Sequence, residues 1–366
     1  MLELLADFKS FFGPLRLFES ITFRAICSAI TSFLLCLLLG PWTIKKLVLL
    51  KVGQPLREKE EVHGLADLHF SKSGTPTMGG VLIIFSTLIS IFLWVRLNVH
   101  LIWPVVFTLL SMGALGFWDD YLKVKRKKSK GATARGKIFF QILVSVAVVG
   151  YLLVHPETHP MASSLYIPSF KEPIVQSAEL LMVIIGTLTI TGSSNAVNLT
   201  DGLDGLAAGL SVIVAVVLGI FCYAHGQAHI SAYLQIPFVH GAAEIAISAF
   251  ALAGACLGFL WFNAHPARIF MGDTGSLSLG ATFATISILI NQQLLLILLG
   301  GVFVIEAVSV ILQVASYKLT SRRIFRMSPI HHHFELAGWK ETQVVIRFWI
   351  LGMVFAMLAL MTLKIR

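Results

Sequence analysis

Apolar runs of about twenty residues recur along this chain, and no other feature limits its fold as strongly. A run of that length crosses the hydrocarbon core of a bilayer as a helix. Within lipid, every backbone N–H and C=O must find a partner inside the segment, which a helix provides. Ten such runs can be placed, at residues 24–44, 77–95, 100–118, 138–154, 178–194, 204–223, 242–262, 275–290, 294–317 and 344–363. The alternating pattern of a transmembrane β-barrel is absent. Composition agrees: of 366 residues, 56% are hydrophobic and 13% charged. Soluble domains carry roughly 25% charge, so this chain has too little polar surface to face water all round. No internal repeat, linker or cleavable signal peptide is evident. The expectation is one all-α polytopic membrane domain over residues 1–366.

Lysine and arginine set its orientation. The segments 45–76, 119–137, 195–203, 263–274 and 318–347 carry 6, 8, 0, 1 and 6 of them, 21 of the 28 in the chain. Positive residues stay in the cytoplasm, so these five segments are expected inside and both termini outside. The net charge of +9 then reports topology and contact with anionic membrane lipid, not nucleic acid. Residues 155–177, with Pro156, Pro160, Pro168 and Pro173, are expected to form a small hairpin or irregular cap outside. Cys27, Cys36, Cys222 and Cys256 lie inside apolar runs without metal-ligand spacing, and are read as buried thiols.

The unusual polar residues gather in the five inner segments. Asp119 and Asp120 end the third run, where an acid opposes the helix macrodipole. Pairing with Lys123, Lys125 or Arg126 just downstream is the structural explanation; a carboxylate pair for Mg²⁺ or proton transfer is the functional one. In NAVNLTDGLDGL (195–206), Asn195, Asn198 and Asp201 recur every third residue and share a face if helical. Gly202 and Gly205 leave the backbone open to a ligand. Asp204 there, and Asp273 in FMGDTGS (270–276), each stand where a helix should begin, so N-capping competes with a ligand role for both. A helix N-terminus also favours bound phosphate. Phe270 is either a core aromatic or a platform for a nucleobase.

In RMSPIHHHFELAGW (326–339), three consecutive histidines lack the partners a zinc site needs. Among arginines they suit phosphate and sugar hydroxyls better. SKSGTPTMGG (71–80) offers Lys72 and Thr77 to phosphate, while its glycines can serve close helix packing. Glu306 lies within the ninth run, either paired or protonated; Glu244, near the outer edge, is read as structural.

These five strings, in this order, resemble the phospho-N-acetylmuramoyl-pentapeptide transferases, of the polyprenyl-phosphate N-acetylhexosamine-1-phosphate transferase superfamily. The likeness covers nearly the whole chain, and the histidine string separates this branch from relatives using simpler nucleotide sugars. It implies transfer of phospho-MurNAc-pentapeptide from UDP-MurNAc-pentapeptide to undecaprenyl phosphate, giving UMP and lipid I at the inner membrane. It implies Mg²⁺ as cofactor and a homodimer. By that resemblance Asp119, Asp120 and Asp273 form the catalytic centre, with Asp273 and Asp120 on the metal. The nucleoside lies near Lys72, Leu199, Gly202, Asp204, Asn263 and Phe270. Thr77, Asn198, Asp201 and Gly272 line the cleft, and His331 and His332 face the sugar phosphate. Whether transfer is direct or runs through a phospho-aspartate stays open. The rival readings are a sister transferase using UDP-GlcNAc or another UDP-hexosamine, and an ion-coupled transporter. A transporter calls for acids spread across the membrane midplane and often inverted repeats, whereas here they cluster on one side.

Overall fold

Helices account for every long element. The computed structural model describes residues 2–50, 74–126, 131–168 and 170–364; Lys72 lies outside them. Two 3-10 segments, Leu2–Phe8 and Gly13–Glu19, lead into α1 (Ile21–Leu49). The Ser20 side chain caps α1 by accepting the Phe23 N–H, satisfying a donor that the first turn leaves free. There follow α2 (Gly80–Trp94), α3 (Ile102–Arg126), α4 (Ala134–Val154), the short α5 (His159–Ala162), α6 (Glu179–Thr200) and α7 (Leu206–His225). The rest are α8 (Ala228–Leu234), α9 (Ala242–Asn263), α10 (Gly272–Leu289), α11 (Leu295–Leu299), α12 (Gly301–Thr320), α13 (Ile330–Leu336) and α14 (Glu341–Met361).

Every apolar run falls on one helix except the ninth, which falls on two; among the described residues, eight helices are long and apolar enough to cross a membrane: α1, α3, α4, α6, α7, α9, α12 and α14. The two that fall short are informative. α2 has 15 residues and rises only about 22 Å, short of a bilayer core. α10 has 18 residues, most of them buried, and many are Ser, Thr or Gly, so it reads as an inner helix shielded by others. The ninth run is also not one helix: it breaks at Gly300–Gly301 into α11 and α12. Glu306 therefore sits in the second turn of α12, not mid-helix.

Burial sorts the helices into layers. The apolar windows of α7 and α9 are 72% and 78% buried, against 28% for α1 and 22% for α12. The outer helices show Ile26, Ile30, Leu34 and Leu38 of α1, or Ile311 and Leu312 of α12, to the surroundings, as lipid-facing stripes do. α9, rich in Ala and Gly, packs against α1, α2 and α7. Small residues let helix backbones approach closely when no water is expelled between them. On the side expected to face out, α5 and an isolated antiparallel bridge between Leu165 and Val175 make up the cap; the described residues contain no longer strand. All four cysteines are free thiols.

Candidate active site

Two helix ends meet to form the site. At the C-terminal end of α3, Phe117 and Trp118 face outward, 46% and 56% exposed, while Asp119 and Asp120 turn inward and are buried. At the N-terminal end of α10 stands Asp273. The approach requires a glycine: a Cβ on Gly116 would lie 2.2 Å from the Asp273 carbonyl oxygen. Gly272, at φ +72°, turns the chain into α10; its missing Cβ would meet Asp120 Oδ2 at 2.5 Å.

Oxygens from Asp119, Asp120 and Asp273 lie within 4.8 Å of one another. Such crowding needs positive charge, and two lysines supply it. Lys123 Nζ stands among the three, 2.7 Å from Asp119, 3.1 Å from Asp273 and 3.7 Å from Asp120. Lys137 Nζ lies 2.8 Å from Asp273 and 3.4 Å from Asp119. The pairing of the acids with Lys123 is therefore present, and the same three carboxylates are close enough to hold a metal ion.

The three acids differ in what else they hold. Asp120 Oδ2 accepts the Thr274 N–H at 3.0 Å and the Thr274 hydroxyl at 2.8 Å, while Oδ1 accepts the Asp273 N–H at 3.3 Å. It caps α10 from another helix, taking over donors that the first turn leaves open. Asp119 accepts the Ala132 N–H at 2.8 Å. Asp273 accepts Asn198 Nδ2 at 2.9 Å and stands one residue inside α10, whose N-cap is Met271. N-capping is thus not its role.

The 195–206 string divides. Asn195 donates to Gln141 of α4 at 2.9 Å and is structural; Asn198 enters the aspartate cluster. Asp201 follows α6 directly. Burial first, then the charges of Asp273 and Asp120, push its carboxyl up to about 7, against the pull of the Gly272 N–H. The N-cap of α7 is Gly205, at φ +78°, not Asp204. Asp204 is buried and accepts the Ala267 N–H and His265 Nδ1, each at 3.1 Å, and Glu341 joins from α14, accepting the Asp204 N–H at 2.8 Å. Asn263 spends both polar groups on backbone, accepting from Gly205 N at 3.1 Å and donating to the Ile269 carbonyl at 2.8 Å. These residues tie the 201–205 loop to the 263–269 segment and to α14.

Thr77 is buried beside Gly272. Phe270 pairs through its backbone with Pro76 and Gly79, joining the 74–80 segment to the start of α10; its ring, like Leu199, is half-buried. His332 pairs with Glu335 at 2.7 Å. His331 is 0% exposed, its ring against Gly202. Lys137, Thr274, His265 and Glu341 were not foreseen. Lys137 did carry a signal: a cation in the first turn of an apolar helix opposes the dipole and wants an acid nearby.

Residues 102–291 match the model for glycosyl transferase family 4, which takes in all three aspartates. Residues 72–84 match phospho-N-acetylmuramoyl-pentapeptide-transferase signature 1. A phospho-N-acetylmuramoyl-pentapeptide-transferase of Methylacidiphilum infernorum (isolate V4) is 51% identical over 366 residues, covering 100% of both chains. The chain belongs to the phospho-N-acetylmuramoyl-pentapeptide-transferase family. For this transferase family member the polytopic membrane fold follows too, with eight helices able to span.

The donor set fits a divalent cation. Three carboxylates at close range are hard oxygen ligands of the kind Mg²⁺ takes, and the Lys123 ammonium among them marks where positive charge is stabilised.

Proposed function

We propose that this chain transfers phospho-MurNAc-pentapeptide from UDP-MurNAc-pentapeptide to undecaprenyl phosphate at the bacterial inner membrane, releasing UMP and leaving lipid I. The observation that carries it is the convergence of α3 and α10 on one buried cluster of three carboxylates and two lysines. Family membership supports the substrates, the Mg²⁺ and the homodimer. The charge bias supports ten crossings with both termini outside, α2 and α10 being short crossings packed among the eight long ones, and with them a cytoplasmic position for the cluster. There it meets a soluble nucleotide and a lipid phosphate together.

An acceptor phosphate oxygen attacks the sugar-bearing phosphorus, and the bond to the bridging oxygen breaks as UMP departs. The chain's own groups bring two anions together. Lys123 and Lys137 neutralise the entering phosphates; Asp119, held by Ala132 N–H, orients the acceptor or takes its proton. Asp273 and Asp120 are the residues that would hold Mg²⁺, which when bound supplies charge to the phosphate oxygens as the transfer proceeds. Asn198 fixes Asp273 for that task.

The test is a purified-enzyme assay following UMP with both substrates and Mg²⁺. Transfer from UDP-GlcNAc instead would favour the sister activity; no UMP with either donor would sink the reading. UMP release from the nucleotide substrate alone, or a covalent adduct, would reveal a two-step route.

A pH dependence follows from Asp201. Its carboxyl, raised to about 7, is neutral below that pH and negative above it, so the cleft attracts a cation more strongly as pH rises. The Mg²⁺ concentration giving half-maximal turnover is expected to fall between about pH 6 and 8, and Asp201→Asn to flatten the trend. A requirement independent of pH in the parent enzyme would contradict this.

A further inference from the structure

Glu306 and His331 meet where neither touches water. Both side chains are 0% exposed, with His331 Nδ1 3.1 Å from Glu306 Oε2. An acid inside an apolar helix is costly unless it has a partner, and the imidazole from α13 is that partner. The contact is one of proximity: among the described residues neither Glu306 oxygen and neither His331 ring nitrogen makes a hydrogen bond, Nε2 included. The ring bears on the loop between α6 and α7: a Cβ added to Gly202 would lie 2.5 Å from Nε2 and 2.9 Å from Cε1. Gly202 is not among the glycines at positive φ, so alanine there is opposed by the ring and not by the backbone. On one side of Gly202 stands Asp201, whose carboxyl takes the Gly272 N–H. On the other side, two residues on, Asp204 holds the 265–267 turn.

We propose that Glu306 is a positioning residue. It fixes the His331 ring, and the ring sets the 201–204 loop against the aspartate cluster. His331 then serves transfer through Gly202, without touching the sugar phosphate. The kinetic consequence rests on the transferase reading; the effect on the loop does not.

The variants Glu306→Gln, His331→Ala and Gly202→Ala, singly and in pairs, test this in detergent-purified protein. Outer partners that orient a site residue are typically worth about 10- to 100-fold in activity, and that loss is expected in kcat for each single variant. KM for the nucleotide substrate should stay within about twofold, as for an interaction that is not uniform ground-state binding. Residues that act as one unit are non-additive, so Glu306→Gln and Gly202→Ala should each cost nothing further once His331→Ala is present. Hydrogen exchange by mass spectrometry should quicken in the peptide spanning 198–206 while α9 keeps its protection. Additive losses, unchanged exchange over 198–206, or a His331→Ala variant that raises KM at constant kcat would overturn the proposal. If the parent enzyme shows no transfer at all, the transferase reading fails, and the exchange data alone decide this one.

Discussion

Asp273→Asn should abolish nearly all turnover while leaving the membrane fold intact. The substitution keeps the shape and removes one charge. In the parent, Asp273 takes hydrogen bonds from Asn198 and Lys137 and lies 3.1 Å from Lys123. Three carboxylates face two ammonium groups there, so losing one charge relieves crowding instead of stranding a cation. Groups that handle protons or developing charge at a reacting centre contribute about 10²–10⁴-fold, and UMP release at saturating Mg²⁺ should fall by that much. Despite the relieved crowding, the new amide nitrogen would face Asn198 or Lys137, whose donors Asp273 now accepts, so the thermal midpoint in detergent should fall modestly. Asp120→Asn is expected to behave differently. Its amide nitrogen would confront the N–H groups of Asp273 and Thr274, which Asp120 now accepts, and leaving such buried donors unmet costs about 1–3 kcal/mol. Stability should fall further in that variant, which loses three donors including two backbone N–H groups, than in the first. Near-normal UMP release by Asp273→Asn would remove Asp273 from the centre of the chemistry.

This contrast marks where sequence reading stops. Apolar runs and a charge bias locate the helices because the bilayer imposes length and composition on each segment separately. The clustering of Asp119, Asp120 and Asp273 was legible for a related reason, since acids at helix ends in an apolar chain need a use. What each acid does was not legible. Asp120 caps a helix 153 positions away, and no local pattern encodes a cap supplied from elsewhere. Asp204 looked like a helix start, yet Gly205 takes that place because Asp204 is claimed by the 265–267 turn. The histidine string suggested ligands on a surface; one ring is instead sealed behind Gly202 with Glu306. In each case the partner comes from a distant segment, and only packing reveals it. α2 and α10 mislead in other ways. α10 is enclosed by its neighbours and need not meet the apolarity of a lipid-facing span, whereas α2 is short yet shows Val81, Phe85 and Phe92 to the surroundings.

Away from the site, the largest stability effect is expected at Glu244. Arg24, in the first turn of α1, is 0% exposed. Its guanidinium grips both carboxylate oxygens of Glu244 at the start of α9, and also donates to the Trp94 carbonyl at 2.9 Å. The Arg96 N–H reaches the same carboxylate at 3.0 Å, so one acid ties three helices together at the end opposite the aspartates. From Glu244 to Asn263 the rise of α9 is about 28 Å. Glu244→Ala would strand Arg24 as a buried, unpaired cation, a defect worth about 3–5 kcal/mol. The thermal midpoint should drop by many degrees, while enzyme kept cold should turn over at close to the parent rate. Replacing Arg24 by Met in the same chain removes the stranded charge and should restore most of the loss, because an apolar pair of similar volume often matches a buried ion pair. If the double variant proves no more stable than Glu244→Ala alone, the cost lies in lost packing rather than in the abandoned charge.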